Sequence, residues 1–279
     1  MQSFQFFINQ LTKSRNIHIS VLDLSGILTT SCTKIKHDNV IHSKKFCALA
    51  KSTERGYQTC LLCKLMANTK AKTTRKSFVG QCVYGLYEGA SPVIIDGACV
   101  AIVYVGNAIV DIQSTKERIS KTCKHTFVKE QLLYSQLEHC EKVAEANELM
   151  QIAQLVADYL KLVYKNAPKE NKTLNWIVEA MKNHAQQRYS EQISLREFAL
   201  TYQRNPKYLG RLFQKQMGVK FNEYLNEIRL SQAKTLIKTT DRKIIDIAMD
   251  CGFFNLSYFN RLFNKKQGVS PTKYRKEHR

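Results

Sequence analysis

Apolar residues in the first half of the chain fall in short alternating or continuous runs, whereas in the second half they recur at helical spacing. Ile17–Leu22, Val93–Ile95 and Cys99–Val105 are rich in β-branched residues and predict strands. Turn signals at Leu24-Ser25-Gly26 and Asp96-Gly97 separate or bound these segments. Thr59–Thr73, rich in Leu, Lys, Ala and Met, predicts a helix between them. From about Val128 to Lys165 almost no Gly or Pro occurs, and Leu149, Ile152, Val156, Tyr159 and Val163 step by three and four residues, an apolar stripe of helical period. Two heptads leave two outcomes open: the stripe packs on its own domain, or it pairs two copies as a homodimer. Asn166–Lys172 is polar and charged, contains Pro168, and predicts a linker.

Beyond the linker the pattern is helical nearly to the end. Leu174–Tyr189 is amphipathic, and Leu195–Tyr202 and Ile244–Cys251 are short helical runs that end in turns. Each is followed by the same string of residues. Tyr208, Arg211, Leu212, Phe213, Lys215, Gly218, Val219 and Tyr224 reappear fifty positions later as Tyr258, Arg261, Leu262, Phe263, Lys265, Gly268, Val269 and Tyr274. A fixed-period repeat indicates one supersecondary unit used twice. Helix, tight turn, then a helix with outward Arg, Lys and Asn beside inward Leu and Phe is the pattern of a DNA-reading helix-turn-helix. Phe221–Lys238 predicts a connecting helix about 27 Å long at 1.5 Å per residue. That length suits two reading helices about one DNA turn, roughly 34 Å, apart on one face.

The formal net charge of +20 points to a polyanionic partner. Residues 170–279 hold 21 Lys and Arg against 10 Asp and Glu, so charge alone does not separate this half from the other; the repeat does. The opening MQSFQFFINQ lacks a basic segment followed by a long apolar one, and the apolar run near Val100–Val110 is broken by Tyr104, Gly106 and Asn107. A cytoplasmic protein without a membrane partner is expected. Nine cysteines in that compartment are buried apolar residues, metal ligands or redox groups, not a disulfide framework. Cys47, Cys60, Cys63 and Cys82 could supply four thiolates to zinc or an iron–sulfur cluster; the competing reading is that they are simply packed. Tyr57, Tyr84, Tyr87 and Tyr104 are candidates to line a half-apolar ligand pocket, with aromatic core as the alternative for at least two of them.

The run Ile247-Ala248 through Gly252-Phe253, Ser257-Tyr258-Phe259, Arg261, Phe263 and Lys265, closing with Gly268, Ser270-Pro271 and Tyr274-Arg275, resembles the signature of AraC-type transcription regulators. The resemblance covers about residues 172–279. It implies two helix-turn-helix subdomains joined by a helix, bound to double-stranded promoter DNA, in proteins that are most commonly activators working with RNA polymerase. The residue chemistry agrees. Gly252 sits where the turn needs positive φ. Phe253, Phe259, Leu262 and Phe263 are expected to form a core, while Asn255, Ser257, Asn260 and Arg261 face away from it. Arg pairs bidentately with guanine and Asn with adenine. In the first unit the reading positions are Lys207 and Arg211, with Asn205 as helix N-cap and Pro206 at the first helical position. Gln203 replaces the turn glycine, and Arg204 stands where the family carries an apolar residue, so Arg204 is either in the core or turned toward DNA.

A second resemblance, over about residues 10–120, rests on Phe46-Cys47, Gly56, Cys60, Gly80-Gln81-Cys82, Gly85-Leu86, Pro92, Asp96-Gly97 and Gly106-Asn107. These are similar to a PocR-type sensory domain. That implies a PAS-like α/β fold sensing a small-molecule effector, diols or other small metabolites in some relatives. The expected architecture is therefore α+β: a PAS-like α/β sensor domain at 1–135, a signalling helix and linker at 136–171, and an all-α DNA-binding domain at 172–279. Its two helix-turn-helices lie at about 195–216 and 243–266. Two alternatives keep a role for the cysteines: a metal or redox switch, or a cysteine-based DNA alkyl acceptor. No Pro-Cys-His motif, Walker loop, Gly-rich dinucleotide fingerprint or HExxH site is present, so the chain is not expected to be an enzyme.

Overall fold

The computed structural model describes residues 2–40, 44–167, 175–202 and 204–278. The chain divides into two compact units, Met1–Asn171 and Lys172–Arg279. Residues 168–172 of the predicted linker, Leu174 at the start of the next predicted helix, and Gln203 lie outside the described residues.

The first unit is built on an antiparallel sheet in the order β1-β4-β3-β2, from β1 (His18–Asp23), β2 (Phe78–Gln81), β3 (Tyr87–Ile95) and β4 (Ala98–Ile109). A short β5 (Glu141–Lys142) pairs parallel to the end of β4. Its helices are α1 (Phe4–Thr12), α2 (Lys45–Ala50), α3 (Glu54–Thr74), α4 (Ile112–Thr126), α5 (Glu130–Tyr134) and α6 (Asn147–Asn166). Side chains alternate along β4 with the period of two that a sheet imposes. Ala101, Val103 and Val105 join the core shared with α1 and α6, whereas Ile102 and Tyr104 join the cluster with Ala71 of α3. A third cluster, with Phe46, Tyr84, Leu86, Ile119 and Leu133, fills the space among α2, α4 and α5.

The turn after β1 forms around a buried carboxylate. Asp23 accepts the N–H groups of Ser25, Gly26, Ile27 and Leu28 at 3.0, 2.7, 3.1 and 3.0 Å, satisfying four backbone donors that burial would otherwise strand. β3 and β4 run longer than their apolar runs suggest. β3 begins at Tyr87 and passes through Pro92, which is tolerated because β2 pairs with β3 only as far as Ala90, leaving an edge there. β4 continues through Gly106 and Asn107, where Asn107 takes φ 64° and the ladder shifts register at Tyr87/Glu88. The stripe of α6 faces its own sheet: Leu149, Val156 and Val163 are fully buried in the core with Ile19 and Val103, and Ile152 and Tyr159 pack beside them. Of the two outcomes open for this stripe, packing on its own domain is the one formed.

Among its described residues the second unit forms helices only: α7 (Trp176–Arg188), α8 (Leu195–Tyr202), α9 (Pro206–Met217), α10 (Phe221–Thr239), α11 (Ile244–Asp250), α12 (Leu256–Gln267) and α13 (Pro271–Glu277). It holds two cores. Phe198, Leu209 and Phe213 meet Phe221 and Leu225 in one, while Ile247, Phe253, Phe259 and Phe263 meet Leu230, Ala233 and Ile237 in the other. The single helix α10 therefore contributes its first half to one core and its second half to the other.

Candidate nucleic-acid interface and sensory site

The two reading helices start and stop alike. Asn205 caps α9, its side-chain oxygen accepting the N–H of Lys207 at 2.8 Å, and Pro206 follows at the first helical position. Asn255 caps α12 by accepting the N–H of Tyr258 at 2.9 Å. Each helix closes on a left-handed glycine, Gly218 and Gly268. The apolar positions Leu209 and Phe213, and Phe259 and Phe263, are fully buried. The opposite faces present Lys207 and Arg211 in the first unit, and Ser257, Asn260 and Arg261 in the second, all exposed. Arg204 is exposed too, resolving the alternative left by the sequence toward solvent. Asn205 and Asn255 are exposed, but their side-chain oxygens are engaged at the helix ends, so they position the reading helices before they read anything.

Gln214 and Asn264 extend the same two faces and are exposed. The sequence reading missed them, although they stand seven residues beyond Lys207 and Ser257, the spacing that returns to one face after two turns. Arg261 lies over the ring of Tyr258 at 5.6 Å, and the Tyr258 hydroxyl accepts from Asn226 of α10 at 2.8 Å. Within this second unit the two helix-turn-helices are joined at a half-buried point. Arg229 of α10 donates to the backbone oxygens of Tyr189 and Glu191, both at 2.7 Å. Gly252, in the second turn at φ 84°, lies against Tyr189, Ser190 and Arg229.

In the first unit the four predicted tyrosines do not share a wall. Tyr84 is 1% exposed and donates to Ala50 O at 3.1 Å, and Tyr104 is equally buried on the α3 side of the sheet with its hydroxyl on Asn68. Tyr87 packs on the opposite, α6-covered face, and Tyr57 is half-buried on α3. An open groove of about 600 Å³ between α3 and α4 is lined by Thr59, Val83, Arg118, Lys121 and His125 among others, and by none of those tyrosines. Under α3, Lys64 pairs with Glu88 at 3.1 Å and lies 3.0 Å from the centre of the Tyr104 ring. Burial lowers the Lys64 pKa, opposed by Glu88. Lys64, a cation that could have favoured thiolates at the Cys60–Cys63 pair, is thus engaged by Glu88, a partner 24 residues away that the sequence does not single out.

The cysteines are corrected by the structure. Among the described residues no group of three or more His, Cys, Asp or Glu is placed to hold a metal ion. Cys47, Cys60 and Cys82 instead pack against the Phe46–Tyr84–Leu86 cluster, and Cys47 accepts from Asn107 Nδ2 at 3.0 Å. Cys63, one helical turn beyond Cys60, is half-buried. Burial pushes the Cys60 thiol up to about 12, with the neighbouring Cys47 adding to the effect, and burial raises Cys82 as well. A low-dielectric setting favours the neutral thiol, the reverse of what a thiolate ligand or a redox nucleophile needs. Iodoacetamide at pH 8 is therefore expected to label Cys60 and Cys82 a hundred-fold or more slowly than in the unfolded chain, on the order that the raised pKa implies. Labelling of the native protein at the unfolded rate, read by peptide mass spectrometry, would restore the reactive-thiol reading.

Comparison with known proteins places both units. Residues 1–167 match the sensory domain found in PocR, and residues 198–277 match a helix-turn-helix domain. The chain is 26% identical over 258 residues to the regulatory protein PocR of Salmonella typhimurium, covering 83% of this chain and 82% of that one. It is 40% identical over 102 residues to the HTH-type transcriptional regulator YijO of Escherichia coli, covering 37% of this chain and 36% of YijO. A match to the HTH-type transcriptional activator RhaR of Mannheimia succiniciproducens, 29% identical over 154 residues, spans 54% of this chain and 56% of RhaR. The chain thus covers about a third of YijO and about half of RhaR. The C-terminal domain of AraT, a response regulator from Geobacillus stearothermophilus, aligns with 31% identity and a TM-score of 0.36 over 38% of this chain and 88% of that one. No helix among the described residues is long and apolar enough to cross a membrane. The chain belongs to the family of AraC-type transcription regulators that carry the sensory domain found in PocR.

Proposed function

We propose that this protein is a sequence-specific promoter-binding activator whose first unit senses a small molecule and whose second unit sets α9 and α12 into two successive major-groove segments. Arg204, Lys207, Arg211, Ser257, Asn260 and Arg261 make the base and phosphate contacts, and Asn205 and Asn255 hold the helix ends that deliver them. RNA polymerase is the partner that such an activator engages. The observation that carries this reading is the pair of helices that each start on an Asn cap and stop on a left-handed Gly, each with a buried apolar face and an exposed Arg face, mounted on one connecting helix. Metal, redox and alkyl-acceptor roles for the cysteines find no support in the thiols' surroundings.

The test is a mobility-shift series on a duplex enriched from a random pool. Arg261→Ala is expected to weaken specific binding by about 1–3 kcal/mol and to relax preference at one base pair, as loss of a bidentate contact does. Arg211→Ala should act likewise in the other half of the site. An Arg261→Ala protein with wild-type affinity and an unchanged base preference removes that residue from the reading set. Affinity must be compared at one salt concentration, because phosphate contacts make all binding fall steeply with salt.

A further inference from the structure

The two reading units differ in one residue at the turn. The N–H of Arg204 donates to Ala199 O at 2.9 Å, and the N–H of Phe253 donates to Ala248 O at 2.9 Å, so Arg204 and Phe253 occupy equivalent places. In the first unit the next residue is the helix cap, Asn205. In the second unit Phe254 intervenes before the cap, Asn255. Phe253 is 2% exposed and belongs to the core, whereas Phe254 is 63% exposed and belongs to no core cluster.

The longer turn thus sets an uncovered aromatic ring at the entry of α12, among the polar side chains of Asn255 and Ser257. That end of a reading helix is where side chains meet base edges. In the major groove each base pair shows donors and acceptors, and the apolar group on offer is the C5-methyl of thymine, which Phe contacts without a hydrogen bond. Tyr258, the next exposed ring, is otherwise engaged by Asn226 and Arg261.

We propose that Phe254 is a specificity-determining residue of the second reading unit, selecting thymine through its methyl group. The first unit has no counterpart, and Arg204 fills the exterior of its turn with hydrogen-bond donors. The two halves of the binding site are therefore read by different chemistry, which makes the operator directional. This rests on the DNA-binding reading above.

The experiment uses the full chain and a duplex enriched from a random pool, with each dT replaced in turn by dU, which removes the methyl and leaves every donor and acceptor. One replacement is expected to weaken wild-type binding about four-fold, the value of one buried methyl-sized group. Phe254→Ala should bind the dT and dU duplexes equally, Phe254→Leu should keep part of the difference, and Arg261→Ala, which acts through hydrogen bonds, should keep it whole. The Trp176 fluorescence melt of Phe254→Ala should match wild type, since the ring is uncovered. Wild-type binding indifferent to every dT-to-dU change, or a Phe254→Ala protein that retains the full preference, overturns the assignment while leaving DNA binding intact. A pool that yields no enriched duplex removes the DNA-binding reading and this proposal with it.

Discussion

A chain carrying Gly252→Ala is expected to lose the joint between its two reading units and most of its specific DNA binding. Gly252 holds φ 84°, where a side chain costs about 1–2 kcal/mol per residue. A β-carbon there would also meet Tyr189 O at 2.7 Å, Ser190 O at 2.9 Å and Arg229 Nε at 2.9 Å. Two of those atoms are backbone oxygens that cannot swing aside, so overpacking adds about 1–3 kcal/mol. Arg229 is meanwhile held by two carbonyls, and displacing it leaves both acceptors and a half-buried guanidinium without their bonds. The chain has one tryptophan, Trp176, which packs in the first core of this unit, so urea unfolding followed by its fluorescence reports on this half of the molecule. A midpoint equal to wild type, with operator affinity unchanged, would show that the joint tolerates a side chain. Arg229→Lys should fall between the two, because an ammonium keeps the charge but not the two-pronged geometry.

The second large effect is expected at Gly89→Ala, in the sensory unit. Here the backbone of α6 lies directly on β3: a β-carbon on Gly89 would stand 2.3 Å from the carbonyl carbon and oxygen of Leu149 and 2.4 Å from the nitrogen of Met150. No rotamer change relieves a contact with backbone, so the start of α6 must lift from the sheet. Lifting it opens the packing of Leu149, Ala153 and Val156, all fully buried. A loss on the order of 3 kcal/mol or more follows, comparable to severe core overpacking. Thermal denaturation followed by far-ultraviolet circular dichroism should show melting of sheet and α6 at a temperature where wild type is intact. A melting curve that superimposes on wild type would sink the claim that Gly89 sets the distance between helix and sheet.

What the sequence made legible was local. The fifty-residue repeat led directly to α9 and α12, because caps, glycine stops and the Leu and Phe spacing all act within a dozen residues. The stripe on α6 was equally visible, but which partner it faces depends on a sheet whose strands lie far from it in sequence. The strand ends were obscured for the same reason: Pro92 and Gly106-Asn107 read as breaks until β2 is known to stop at Ala90 and the ladder to shift at Glu88. The pairing of Lys64 with Glu88 was not visible, since only the folded sheet brings Glu88 to α3. The cysteine spacing suggested coordination, yet spacing carries no information on dielectric, and burial pushes the Cys60 and Cys82 thiols up. On the reading helices, Asn205 was recognised as a cap but Asn255 was not, although it stands fifty residues on, at the period of the repeat.

One helix built into two cores also constrains how this regulator can change over generations. Substitutions on the exposed faces of α9 and α12 touch neither core, so each half of the recognised sequence can drift toward new bases one at a time. The separation between the halves has no such freedom. Phe221 and Leu225 tie one end of α10, and Leu230, Ala233 and Ile237 tie the other, so any insertion rotates one core by about 100° per residue against its partner. Descendants of this protein should therefore diversify in the letters of their operators while keeping the number of base pairs between them.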